Sequence, residues 1–90
     1  MTDDGARVVL YGRAGCHLCD EAREVVARAA ADAGATWTEV DVDAAAVHDG
    51  GRLRREYGEQ VPVVLVDGVP RGFWRIDPVR LARALAAGAR

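Results

Sequence analysis

The 90-residue chain predicts a single α/β domain whose elements run βαβ-α-ββα around a mixed four-stranded sheet. Three observations carry that expectation. A β-rich run, a long amphipathic run and a second β-rich run follow one another in the first half, which implies a right-handed parallel crossover. An apolar run in the second half meets Asp67-Gly68, a two-residue hairpin signal, and so should return antiparallel. Both cysteines of the chain, Cys16 and Cys19, stand between the first strand and the first helix.

Composition sets the outer bounds. Half of the residues are hydrophobic, and 12 basic residues, all arginine, face 14 acidic ones for a formal charge of −2. A chain of this length has room for one modest core and no second domain. The arginines are scattered, without the basic stripe of a nucleic-acid binder. Residues 1–6 are polar and acidic and are expected to form a flexible tail, leaving a single domain over 7–90. That tail has neither the basic nor the apolar region of a signal peptide, and no run approaches the ~18 apolar residues of a membrane span. A cytoplasmic protein is expected, with thiols that meet a reducing pool.

In chain order, Arg7 to Tyr11 reads as a strand and Gly12 to Gly15 as a loop. From Leu18 the apolar residues Leu18, Ala22, Val25, Val26, Ala29, Ala30 and Ala33 recur at helical spacing, with charged residues opposite and Gly34 placed to cap the end. Glu24 and Arg28 have the spacing of a favourable i,i+4 pair. Thr36 to Val42 alternates as a strand, with Trp37 expected in packing. Asp43 is placed to cap an imperfect helix from about Ala44 to Tyr57, interrupted at Gly50-Gly51, with Val47, Leu53 and Tyr57 turned inward. Val61 to Val66 is an apolar strand, and Val69 to Ile76 returns beside it, Pro70 suiting an edge. Asp77-Pro78 is a strong helix start, followed by a stripe of Leu81, Ala82 and Leu85.

The chemistry centres on Cys16-His17-Leu18-Cys19. Two cysteines are too few for a disulfide-stapled scaffold, so the pair is to be judged on reactivity. At the first turn of a helix, positions i and i+3 share a face with Cα atoms roughly 5 Å apart, within reach of a disulfide. Cys16 would meet unpaired N–H groups and the positive end of the helix dipole, which favour a thiolate; Asp20 and Glu21 work against it. Cys19, one turn in, should be more buried and suited to resolving a mixed disulfide on Cys16. An alternative is a metal or iron–sulfur binding module. With Cys16, Cys19, His17 and His48 as the only soft ligands, and His48 remote, such a site would have to pool the cysteines of two chains.

The element order and the stretches Tyr11-Gly12-Arg13-Ala14-Gly15-Cys16-His17-Leu18-Cys19 and Val61-Pro62-Val63-Val64-Leu65-Val66-Asp67-Gly68 together resemble the glutaredoxin-like branch of the thioredoxin fold, over roughly Arg7 to Ala87. The resemblance implies a thioredoxin-like sheet with helices on both faces and a thiol-disulfide oxidoreductase with Cys16 and Cys19 catalytic. It further implies that Val61-Pro62 is a cis ledge beside the cysteines, and that Arg13 approaches the thiolate and a substrate carboxylate. His17, Trp74 and Arg75 complete the substrate-binding set, although the amphipathic ring of Trp74 suits packing equally well. No tightly bound cofactor is expected, with glutathione or another low-molecular-weight thiol as reductant. The expected partners are a disulfide-containing protein or small-thiol substrate and a reductase, with the chain itself a monomer. Two stretches depart from the main glutaredoxins. The spacer is His17-Leu18 where they carry Pro-Tyr, and Gly72-Phe73-Trp74-Arg75-Ile76-Asp77-Pro78 replaces the Gly-Gly-x-Asp stretch that holds glutathione. In this the chain is closer to an uncharacterised glutaredoxin-like branch and to the redoxins that serve ribonucleotide reductase.

Overall fold

Strand β1 (Val8–Gly12) lies in the middle of a sheet of order β2-β1-β3-β4, parallel to β2 (Trp37–Asp41) and antiparallel to β3 (Val63–Val66), in a computed structural model that describes residues 6–88. Most of the expected tail falls outside the described residues. Helix α1 (His17–Ala33) connects β1 to β2, and two short helices, α2 (Val42–Asp49) and α3 (Arg52–Tyr57), lead to β3. The hairpin partner β4 (Val69–Phe73) and helix α4 (Pro78–Gly88) complete the domain.

The sheet's period of two explains the layering. Val8 and Leu10 of β1 and Val64 and Val66 of β3 point to one face, where Ala22, Val26 and Ala29 of α1 and Leu81 and Leu85 of α4 close over them in one buried cluster. Each fully buried Leu or Val there contributes about 1.5–3 kcal/mol relative to exposure. Tyr11, of opposite parity, stacks on Tyr57 of α3 with ring centroids 5.2 Å apart, so helices cover both faces. Every residue of β3 is buried, as a central strand requires. Trp37 packs against the core cluster from β2.

Asp67 and Gly68 both adopt positive φ, 52° and 83°, which is the backbone of a type I′ hairpin. Arg7 grips that turn from the start of β1, its Nε and Nη2 donating to Asp67 at 3.1 and 2.9 Å, and it also donates to the Leu85 carbonyl of α4. Between Val64 and Leu65 the register slips by one residue, so that Val64 pairs with Gly72 while Leu65 pairs with Pro70 on the edge strand. Asp77 Oδ1 accepts from the N–H of Val79 and Arg80 and caps α4.

Several local expectations are corrected. The cap of α2 is Asp41, whose Oδ1 accepts from the N–H of Asp43 and Ala44, because β2 pairing with β1 runs as far as Asp41 and the helix starts immediately after it. Val47 is 83% exposed: α2 ends at Asp49, and its alanines give no apolar stripe to orient it. The glycine pair splits the expected single helix into two, with both Gly50 and Gly51 at positive φ. Ala33 and Ala82 face solvent. On α1 the ion pairing runs through Arg23, which reaches Asp20 and also Glu39 of β2, in place of the expected Glu24–Arg28 pair.

Candidate redox site

Cys16 is the N-cap of α1, in extended backbone (φ −99°, ψ 111°), and its Sγ accepts the Cys19 N–H at 3.0 Å. A sulfur occupies the place usually taken by a capping hydroxyl or carboxylate, so the orphan N–H of the first turn is aimed at it. The Cα atoms of Cys16 and Cys19 are 5.1 Å apart, as one helical turn dictates, and the two sulfurs are joined in a disulfide. Their environments differ. Cys16 is half-exposed, whereas Cys19 is 1% exposed within the wall formed by α1 and β1.

That wall depends on Gly12. A Cβ at this last position of β1 would stand 3.3 Å from Cys19 Sγ and 3.6 Å from Glu39 Oε2, so the absence of a side chain lets the strand end approach the buried sulfur. Glu39 is held by Arg23 through two hydrogen bonds of 2.8 Å.

The expected contact residues outside α1 and Arg13 lie in two segments, one before β3 and one after β4. Val61-Pro62 is a cis peptide; Pro62 is buried and Val61 half-buried. The Trp74 N–H donates to the Pro62 carbonyl at 2.8 Å and to the Gln60 carbonyl at 3.3 Å, and its indole Nε1 donates to the Glu59 carbonyl at 3.3 Å. Trp74 has φ of 63°, a conformation that bulky L-residues rarely adopt, and yet its side chain is 59% exposed. Its neighbour Phe73 is 43% exposed. One shallow hollow of about 240 Å³ lies between Gln60, Phe73 and Trp74. A second, of about 210 Å³, is lined by Leu18, Glu21, Ala22, Val25, Trp74 and Arg75 among others, and so reaches the spacer of the cysteine pair. Arg75 lies loosely over it, 3.9 Å from Glu21, and His17 is exposed at the start of α1.

Arg13 is placed differently from the other expected contact residues. Its guanidinium donates from Nε and Nη2 to the two carboxylate oxygens of Asp43, at 2.9 and 3.1 Å, and from Nη1 to the Gly58 carbonyl at 3.1 Å. The hydrogen bond and charge of Arg13 hold the Asp43 carboxyl below the usual carboxylate range. The sequence reading missed Asp43 as the partner of Arg13. The two are 30 positions apart, and no local pattern joins them. Among the described residues no group of three or more His, Cys, Asp or Glu side chains is arranged to hold a metal ion.

A Cys-x-x-Cys pair at the start of the first helix, a cis-proline immediately before β3 and a β2-β1-β3-β4 sheet define a thioredoxin-like domain of glutaredoxin type, with the cysteine arrangement of thiol redox proteins. The chain belongs to the glutaredoxin-like domain family (DUF836), which matches residues 7–86. It is 38% identical over 80 residues to uncharacterized proteins of Mycobacterium tuberculosis and Mycobacterium bovis, over 89% of this chain and 82% of theirs. The X-ray structure of the structural genomics target XcR50 from X. campestris is similar with a TM-score of 0.70 and 35% identity, over 91% of this chain and 99% of that one. The holo form of glutaredoxin C1 from Populus tremula x tremuloides shares the fold, with a TM-score of 0.59 and 24% identity over 93% of this chain and 87% of that one.

Proposed function

We propose that the protein is a thiol-disulfide oxidoreductase working through the Cys16/Cys19 dithiol couple. The observation that carries this reading is the asymmetry of the pair: Cys16 half-exposed at a helix N-cap, Cys19 buried one turn below, with Cα atoms at disulfide separation. The N-cap position and the Cys19 N–H favour the Cys16 thiolate over its thiol. That thiolate attacks one sulfur of a substrate disulfide; a Cys16–substrate bond forms and the other substrate sulfur leaves as a thiolate. Deprotonated Cys19 then attacks Cys16, the second substrate sulfur leaves, and two electrons have passed to the substrate. Two equivalents of a low-molecular-weight thiol such as glutathione, or a reductase, return the pair to the dithiol.

His17, Val61, Pro62, Trp74 and Arg75 form the substrate-contact face in this reading, and the hollow that Trp74 and Arg75 line together with Leu18 of the spacer supports it. A cytoplasmic setting would supply the reducing pool. Intact mass of protein equilibrated across reduced-to-oxidised glutathione ratios, with free thiols alkylated, tests the couple. Loss of two hydrogens with one midpoint is expected. Cys16→Ser should abolish disulfide reduction, and Cys19→Ser should accumulate a mixed disulfide. Normal turnover by the Cys16 variant would reject the reading, as would thiols that stay reduced throughout.

A further inference from the structure

The segment Gly58 to Pro62 ends in the cis Val61-Pro62 bond, the substrate ledge of the proposed reading, and it is held from two sides. On one side Trp74 donates to the carbonyls of Glu59, Gln60 and Pro62. On the other, the Arg13 guanidinium donates to the Gly58 carbonyl while its remaining donors grip Asp43 at the start of α2. Arg13 itself belongs to the loop that delivers Cys16. The guanidinium therefore ties together three segments distant in sequence: the cysteine loop, the first turn of α2 and the ledge. Arg54 adds a weaker contact to Asp43 at 3.7 Å.

We infer that Arg13, fixed by Asp43, is a positioning residue that sets the Cys16 loop against the Val61-Pro62 ledge, and that its charge is consumed inside the protein instead of binding substrate. The inference rests on the proposed exchange chemistry. Attack on a disulfide requires the substrate sulfur to be presented in line with the Cys16 sulfur, and in the proposed reading the ledge presents a polypeptide substrate. A planar fork with three fixed donors sets that distance more rigidly than a point charge would. Small reagents that need no ledge should be indifferent to the strut.

The test compares two probes on the full chain, reduced and at neutral pH: alkylation of Cys16 by iodoacetamide, and exchange with a synthetic cysteine peptide in mixed disulfide with thionitrobenzoate. Arg13→Ala and Asp43→Ala should each slow the peptide exchange roughly tenfold to a hundredfold, the cost of a displaced reactant. Iodoacetamide rates should stay within about twofold, since no group in contact with the sulfur changes. The double variant should be no slower than either single one, because both remove the same strut. Arg13→Lys, which keeps charge and folds most conservatively, should recover only part of the rate. Unchanged peptide exchange in Arg13→Ala would overturn the inference. So would strictly additive losses, or an equal fall with both probes, which would make Arg13 an electrostatic aid to the thiolate. Wild-type protein that alkylates but exchanges with no disulfide would instead sink the proposed function.

Discussion

The two sides of the cysteine pair are built on different principles. The inner wall, where Cys19 is buried, shares β1 and α1 with the apolar cluster of β1, β3, α1 and α4, whose members are fixed by volume. The outer rim, where Cys16 opens to solvent, is assigned to the segments from Gly58 to Pro62 and from Trp74 to Arg75, fixed by backbone hydrogen bonds and by the ion pairs of Arg13 with Asp43 and of Arg75 with Glu21. The contrast assigns separate tasks: packing holds the resolving sulfur in place, while directional bonds arrange the surface a substrate meets. Substitutions in the wall should therefore register in stability, and substitutions in the rim in reactivity.

The largest effect is expected from Leu10→Ala, which empties a fully buried site between the sheet and α1. A loss of about 2–5 kcal/mol in urea unfolding is expected, with the disulfide couple still formed in the surviving folded protein. A loss below 1 kcal/mol would show that this wall does not depend on close packing. Gly12→Ala comes next. Its Cβ would stand 3.3 Å from Cys19 Sγ, a tight contact that asks the sulfur to yield by a few tenths of an ångström, while Glu39 Oε2 at 3.6 Å is at ordinary contact distance. Overpacking of this kind costs about 1–3 kcal/mol. Because the displaced atom is the resolving sulfur, the midpoint of the glutathione titration should shift as well, unlike that of Leu10→Ala. Equal midpoints in the two variants would remove the special place of Gly12 in the wall.

The wall was more legible in the sequence than the rim, and for a physical reason. Leu10, Val26, Val64, Leu81 and Leu85 announce themselves by period, since burying a strand face or a helix stripe imposes spacing on the chain. Cys16 at a helix start, the Asp67-Gly68 turn and the Asp77 cap are likewise local signals. The contacts of the rim are between residues far apart in sequence. Asp43 read locally as a cap, but the end of β1–β2 pairing gave that task to Asp41 and left Asp43 for Arg13. The positive φ of Trp74, its bonds to the carbonyls of Gln60 and Pro62, and the slipped register of β4 have no sequence pattern. Val47 failed for the opposite reason: α2 is too short and too rich in alanine for period to choose a face.

Trp74→Gly separates the two principles at one position. Glycine relieves a left-handed conformation that costs an L-residue roughly 1–2 kcal/mol, while removing a ring that is mostly in solvent. Stability by urea unfolding should change by about 1 kcal/mol or less as these effects offset. Exchange with the cysteine peptide should nevertheless fall severalfold, because the hollows on either side of the ring disappear. A loss of stability comparable to that of Leu10→Ala would place Trp74 in the wall and undo the division.

The smallest effect concerns the charge in the rim strut. Arg13 lowers the folded-state pKa of Asp43, so the ionised carboxylate is favoured by folding. The sign follows from linkage: the contribution is present above the unfolded carboxyl pKa and is lost as pH falls through the lower folded value. Wild type should thus be more stable than Asp43→Asn at neutral pH by a small margin that closes on acidification and narrows in 1 M salt, since both side chains are partly exposed. The peptide-exchange rate offers the more sensitive reading, because the strut acts on position more than on stability. A stability margin that survives acid and salt unchanged would mean that Asp43 acts by shape, as a residue of the wall would.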